Sequence, residues 1–318
     1  MKKVAWGSSK LLKMYLYENK SHPFIYCIDD YTNISQIEGL PVIKSKVLFE
    51  EGIDKFLIVV FAVSNESLRS IITQLSSFGL EYKKNYILYS DFLNKTFSEK
   101  FLDSFGWEPS QNIYKYSLSY TLNSNRLIHT TILGTWMFLE IMKHTYEVEG
   151  SIAEVGAFEA GNSLCALNFA SINNIGDKNF YIFDSFEGFP DISEFDPECF
   201  KKGDYCTKTL FKEIKNSFAM FPQALVIKGF VPETFYNIPK EEKFSLVFYD
   251  CDLYQPALDT FEFFWEKISY GGYLIIHDYK AEKGGFEGVK RATDKFFSGK
   301  SIKINAFSEN TMAVIKRQ

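Results

Sequence analysis

An apolar run in this sequence, SLVFYDCDLY (245–254), stops at Asp250 and Asp252. A second run, GYLIIHD (272–278), stops at His277 and Asp278. Carboxylates at the mouth of a buried strand are costly unless opposite charge or hydrogen-bond donors offset them. If the two runs are neighbouring strands, Asp250 and Asp278 can converge at the sheet edge. Oxygen ligands of that kind suit Mg2+ or another hard divalent ion. An ion held there lowers the pKa of a bound hydroxyl and fixes it for attack. One strand-end aspartate is ordinarily a solvated loop acid or a cap; two on adjacent strands are harder to explain so. Asp252 starts the turn into the next helix and reads as a capping or supporting acid.

Two further stretches carry chemistry. In AEVGAFEAGNS (153–163) a strand runs into a glycine-bearing turn and then a helix. Gly156 permits close backbone approach to a ligand, and Gly161 lets the chain enter the helix. Glu154 lies inside the apolar strand end, where an acid needs a partner such as a cationic or hydroxyl-rich cofactor. In FDSFEGFP (183–190), Asp184 ends the next strand and is followed by Ser185. A carboxylate at that place in a nucleotide-binding sheet takes the hydroxyls of a ribose. A cap or turn is the plain alternative for Asp184, and the preceding glycine turn favours ribose. KGFVPETF (228–235) adds only a strand-end Lys228 and Gly229.

The elements that must position these residues follow from periodicity. From 151 the chain alternates strand and helix: strands at 151–157, 179–184, 224–229, 244–250 and 272–278, with helices from about Asn162, over 256–268 and over 288–298. SIKINAF (301–307) and TMAVIKR (311–317) are close enough to form a hairpin. Alternation of this kind predicts a parallel α/β sheet, whose ligands bind beyond the C-terminal strand ends. The polar residues above sit at those ends. Residues 1–93 form a smaller α/β unit, with strands at 2–6, 24–30, 40–44 and 55–63, helices at 8–19 and 65–79, and NYILYSDF (85–92) closing it. Residues 94–125 read as a connection with some helix, and 126–150 as helix. The long stretch 185–209, with Phe186, Phe189, Phe195, Phe200 and Tyr205, reads as a lid. Its Asp191, Asp196 and Asp204 are solvated loop acids by default.

Composition bounds the class. The 318 residues suit two domains, and 46% hydrophobic with 17% aromatic residues can build real cores. A net charge of -5 argues against nucleic-acid binding. No apolar run reaches the ~18 residues of a membrane helix, and MKKVAWGSSK lacks the apolar segment of a signal peptide. The 5 cysteines form no CxxC pair, so a reducing, cytoplasmic setting is expected.

Taken in order, IAEVGAFEAGNS, FDSFEGFP, KGFVPETF, YDCDLYQPALDTFEFF, GGYLIIHDY and GVKRATDKFF resemble the macrocin O-methyltransferase (TylF-type) family of class I S-adenosylmethionine-dependent enzymes. The resemblance covers about 151–299. It implies a seven-stranded Rossmann-like sheet with the last strand antiparallel, here in a domain spanning 126–318. It also implies methylation of a sugar hydroxyl with a divalent metal, usually Mg2+. Glu154, Gly156, Gly161, Asp184 and Ser185 would line S-adenosylmethionine; Asp250 and Asp278 would hold the metal, with Asp250 and His277 at the chemistry. The family often has DDY where this chain has HDY. His277 could bind metal through nitrogen, act as a base, or mark weakened metal dependence. A sugar or nucleotide-sugar substrate and a homo-oligomer are expected. The rivals are a non-catalytic sugar- or cofactor-binding partner in a biosynthetic complex and a dinucleotide-dependent oxidoreductase. The absence of GxGxxG argues against the last.

The N-terminal unit more loosely resembles small Rossmann-like domains of surface-polysaccharide and modified-sugar enzymes. WGSSK (6–10) lacks the phosphate fingerprint, so a packing or dimerising role is expected. Asp29 and Asp30 nonetheless close its second strand, where a ribose-binding acid would stand.

Overall fold

The computed structural model describes residues 1–279 and 287–318. The chain divides into one unit of residues 1–109 with 118–133, and a second of 110–117 with 134–318.

The first unit begins with β1 (Lys2–Trp6), α1 (Lys10–Glu18), β2 (Phe24–Ile28), β3 (Gln36–Ile37), β4 (Leu40–Ile43) and α2 (Ser45–Glu51). It continues with β5 (Phe56–Val60), α3 (Asn65–Ser77), β6 (Tyr86–Leu88) and α4 (Tyr89–Phe105). The sheet order is β3-β4-β2-β1-β5-β6, parallel except for the β3–β4 pair. Hydroxyls set the helix starts. Ser9 accepts the Leu12 amide and Ser64 that of Ser67, each satisfying an otherwise orphaned donor. Buried Asn65 holds the chain at 126–128 by donating to the Arg126 carbonyl and accepting from the Ile128 amide. The stretch 94–125, expected as a connection, runs through α4 and α5 (Gln111–Asn123).

After α5 come α6 (Ile132–His144), β7 (Ser151–Val155), α7 (Gly161–Ile172), β8 (Phe180–Asp184), α8 (Phe211–Ser217) and β9 (Ala224–Lys228). The chain closes with β10 (Phe244–Tyr249), α9 (Tyr254–Phe264), β11 (Ile268–Ile276), α10 (Glu287–Phe297), β12 (Ile304–Phe307) and β13 (Met312–Lys316). These strands form one seven-stranded sheet, β12-β13-β11-β10-β7-β8-β9, in which β13 alone runs against its neighbours. The expected sheet with an antiparallel last strand is therefore present. Both faces are covered, so β10 is buried along its whole length and reads as a continuous apolar run. On one face Phe138 of α6 packs against Phe180 and Phe248. On the other, Phe183, Phe235, Phe244 and Phe264 interlock edge to face. Each such ring contributes about 1.5–3 kcal/mol by burial.

Candidate active site

Strand register assembles the site. Val155 of β7 stands opposite Phe183 of β8 and Tyr249 of β10, and Tyr249 opposite Ile276 of β11. The residues that follow, Gly156, Asp184, Asp250 and His277, thus lie in one row along the C-terminal edge of the sheet. Gly156 has φ +92°, and a Cβ there would stand 2.3 Å from the Asp250 carbonyl oxygen. Only glycine permits β7 and the end of β10 to approach this closely.

The turn after Gly156 wraps Asp184. The Phe158 amide donates to Asp184 Oδ2 at 2.8 Å and the Phe186 amide to Oδ1 at 2.6 Å. Each oxygen keeps lone-pair capacity for a hydroxyl. Burial raises the Asp184 pKa to about 6, against the lowering effect of these amides and that of Ala157. The left-handed residues of this turn are Phe158 (φ +53°) and Ala160 (φ +57°), not Gly161, which is simply the buried first residue of α7. Asn162 does not cap the helix; its Oδ1 accepts from the Thr135 hydroxyl. Glu154 is fully buried and takes the Ser163 hydroxyl, and burial first, then the charges of Asp250 and Asp184, raises its pKa to about 8. Ser185 is engaged in its own turn, donating to the Gly188 carbonyl and accepting the Glu187 amide.

The acids of β10 and β11 meet around an imidazole. His277 Nδ1 lies 2.8 Å from Asp250 Oδ1 and 3.1 Å from Asp278 Oδ2. Its Nε2 is 3.5 Å from the Thr311 hydroxyl. Burial pushes His277 toward the neutral form, but the two carboxylates outweigh it and hold the pKa well above 6.5. One atom from each of Asp250, His277 and Asp278 lies within 4.8 Å of the others. The two carboxylate oxygens suit a hard divalent cation such as Mg2+, whereas an imidazole nitrogen suits Zn2+ or Fe2+ better.

Asp252 differs from its expected capping role. α9 receives its cap from Asp196, whose Oδ1 accepts the Tyr254 amide at 2.7 Å. Asp252 instead turns back through φ +63° and shares a hydrogen bond with Asp278. Burial, then the neighbouring charges of Asp278 and Asp250, raise its pKa far above the usual carboxylate range. Asp278 (φ +56°) and Thr311 (φ +60°) are also left-handed. Backbone strain clustered at one place marks functional sites. The DxD spacing was the available signal for Asp252; the turn that redirects it was not visible.

The three aspartates of the segment 185–209 are engaged. Asp196 is buried as the α9 cap, Asp204 accepts the Lys201 amide, and Asp191 pairs with Lys202. All five cysteines are free thiols. No helix among the described residues is long and apolar enough to cross a membrane.

The chain is similar to several O-methyltransferases. Demethyldecarbamoylnovobiocin O-methyltransferase of Streptomyces niveus is 23% identical over 141 residues, 42% of this chain and 53% of that protein. Mycinamicin III 3''-O-methyltransferase of Micromonospora griseorubida is 23% identical over 143 residues, 42% of this chain and 56% of that protein. The chain thus spans about half the length of the curated relatives it matches. The solved O-methyltransferase NovP is 18% identical, with a TM-score of 0.49 over 66% of this chain and 89% of its own. The family model of macrocin-O-methyltransferase (TylF) matches residues 138–318, more than half of the chain, and the protein belongs to that family.

Proposed function

We propose that this protein is an S-adenosylmethionine-dependent O-methyltransferase acting on a sugar hydroxyl, in a nucleotide sugar, a sugar-bearing natural product or a polysaccharide precursor. The observation that carries the reading is the convergence of Asp250, His277 and Asp278 beside Asp184 on one sheet edge. The match to a family of O-methyltransferases supports it.

S-adenosylmethionine, when bound, supplies a methyl group already activated on a sulfonium. Mg2+, when bound, supplies positive charge that makes an acceptor hydroxyl more acidic. Asp250 Oδ1 and Asp278 Oδ2 are the atoms that would hold the metal, in place of the His277 Nδ1 proton that now lies between them. The chain's own work is positioning and proton transfer. Asp184 accepts the cofactor's ribose hydroxyls. Gly156, Gly161 and Ser185 shape the wall beside it, and Glu154 fixes the start of α7 through Ser163. Asp250 and His277 stand at the chemistry, and His277, once neutral, receives the acceptor's proton. Asp252, hydrogen-bonded to Asp278, orients that carboxylate.

His277 Nδ1 between two carboxylates also favours a second reading, in which a protonated imidazole takes the metal's place and the protein binds without catalysis. Methyl transfer to a panel of nucleotide sugars, with and without Mg2+, separates the two. Turnover that needs Mg2+ supports the enzyme reading. S-adenosylmethionine binding without transfer to any acceptor supports the second. No S-adenosylmethionine binding by calorimetry overturns both the methyltransferase and its cofactor site.

A further inference from the structure

The segment 185–209 is held more tightly than a loop of its length requires. The Phe189 amide donates to the Asp204 carbonyl at 2.9 Å, and the Gly203 amide to the Phe189 carbonyl at 3.0 Å. These bonds close the base of the loop. Gly188 is required there, since a Cβ would lie 2.4 Å from the Gly203 carbonyl oxygen. The Cys206 thiol donates to the Phe186 carbonyl just beyond. Asp196 ties the far part of the loop to α9.

Tyr205 emerges at this closed base. It is left-handed, with φ +61°, a backbone state that bulky residues rarely adopt. Its ring is clamped by Phe189 at 5.0 Å, Phe200 at 6.4 Å and Phe158 at 5.7 Å between centroids. Phe158 belongs to the turn that wraps Asp184. That turn begins at Gly156, which packs on the Asp250 carbonyl. Tyr205 therefore stands over the junction of the cofactor side and the acid cluster. Burial, then the charges of Asp252, Asp278, Asp204 and Asp250, push its hydroxyl up to about 12. Yet Tyr205 remains 40% exposed. A tyrosine in a left-handed backbone, packed by three aromatic neighbours, thus keeps part of its side chain open to solvent.

We propose that Tyr205 is the stacking platform for the acceptor, packing against one C–H face of a pyranose whose hydroxyls point to Asp250 and Asp278. This rests on the sugar O-methyltransferase reading and adds the surface that selects its acceptor. A pyranose offers weakly positive C–H groups on a face and hydroxyls at its rim. The aromatic face is the negative pole of the ring quadrupole and attracts the former; carboxylates accept from the latter.

The test uses the full chain with S-adenosylhomocysteine and MgCl2. Saturation-transfer NMR with irradiation of the aromatic protons is read on methyl α-D-glucopyranoside and methyl α-L-rhamnopyranoside, and catechol binding is read by calorimetry. Wild type and Tyr205→Phe should saturate the protons of one pyranose face. Tyr205→Asn should lose at least about fivefold of that signal, with unchanged melting temperature and S-adenosylhomocysteine affinity. Asparagine tolerates the left-handed backbone, and Tyr205→Gly, which adopts it freely, provides a second ring-free variant. Equal saturation in the ring-free variants overturns the platform and leaves the enzyme reading standing. Binding of catechol with saturation of neither pyranoside, or no signal from any of the three, overturns the platform and the sugar acceptor together. S-adenosylhomocysteine binding by calorimetry reports separately on the methyltransferase fold's cofactor site.

Discussion

Two sheets in this molecule end strands in paired acids, and the acids have different fates. In the first unit, Asp29 and Asp30 follow β2. Asp29 Oδ2 takes both the amide and the hydroxyl of Ser8, at 3.1 and 2.6 Å, and Oδ1 takes the amides of Tyr31 and Thr32. Asp30 takes the Ser45 amide and the Gln74 side chain. Burial alone would raise the Asp29 pKa, but these hydrogen bonds outweigh it and lower it. Beside this sheet's C-terminal ends, a cavity of about 20 Å³ is lined by Val60, Ala62, Ser64, Leu88 and Thr121, room for about one water molecule. In the second unit, Asp250, Asp252 and Asp278 face one another and His277. Their neighbours are other ionisable groups, and Asp252 and His277 are driven upward in pKa. A strand-end acid whose hydrogen bonds outweigh its burial, as at Asp29, is architecture, whereas Asp184 is raised by burial despite its backbone donors. A strand-end acid surrounded by other acids is held at a cost that a ligand can relieve.

That contrast fails or stands on the acid at β10. Asp250→Asn keeps the shape and removes the charge. Methyl transfer should fall by roughly 10²–10⁴-fold, while S-adenosylmethionine affinity stays nearly intact by calorimetry. Equal loss of both would make Asp250 a cofactor contact. Next in size is Asp184→Ala, which should weaken S-adenosylmethionine binding by roughly 10–100-fold, the loss of about 1.5–3 kcal/mol of hydrogen bonding to a charged group. The same residue gives a pH signature. Its carboxylate is ionised only above about 6, so wild-type affinity should weaken as pH falls through that value. A flat affinity between pH 5 and 8 would remove Asp184 from the ribose site.

How far the sequence reaches is visible in these residues. Apolar runs that stop at 249 and 276 place Asp250 and His277 at strand ends without any structure, because a buried parallel strand is apolar on both faces. The parallel sheet followed from alternation and the final hairpin from its short link, while the antiparallel last strand came with the family resemblance and the order of strands in the sheet is seen only in the fold. Other features depend on partners far along the chain. Asp196 caps α9 from 58 positions away, so Asp252 looked like the cap. Asp252 joins the cluster only because its φ is +63°, a choice made by tertiary packing. The short elements β3, α2 and α8 lack strong local signals; neither Lys44 nor Leu210 supplies a side-chain cap. α4 starts directly after β6, so the residues from Tyr89 looked like more strand.

Smaller effects sharpen the comparison from the other side. Asp29→Ala leaves Ser8, Tyr31 and Thr32 short of an acceptor. It should destabilise the protein by about 1–3 kcal/mol, seen as a lower denaturation midpoint, with S-adenosylmethionine affinity unchanged. The folded pKa of Asp29 is depressed, so its contribution is present above the unfolded carboxylate value and lost as pH falls through the folded one. A large loss of methyl transfer in a stably folded Asp29→Ala protein would show that the first unit's acids serve the reaction after all.

Glu154→Gln should have the smallest effect on cofactor binding and a distinctive pH dependence of stability. Glu154 titrates near 8 in the folded chain, against an ordinary 4.5. Between those values the folded state holds a proton that the unfolded state has released. Wild-type stability therefore declines as pH rises across that window. Glutamine resembles the protonated acid and carries no such linkage. Near pH 5 the two proteins should unfold at closely similar denaturant concentrations. By pH 8 the variant should be the more stable, with S-adenosylmethionine affinity within about threefold, roughly 0.7 kcal/mol, of wild type. Parallel stability profiles from pH 5 to 8 would mean that Glu154 is ionised in the fold. Its buried bond to Ser163 would then have to be a charged one, and the contrast between structural and functional acids would need Glu154 on the functional side.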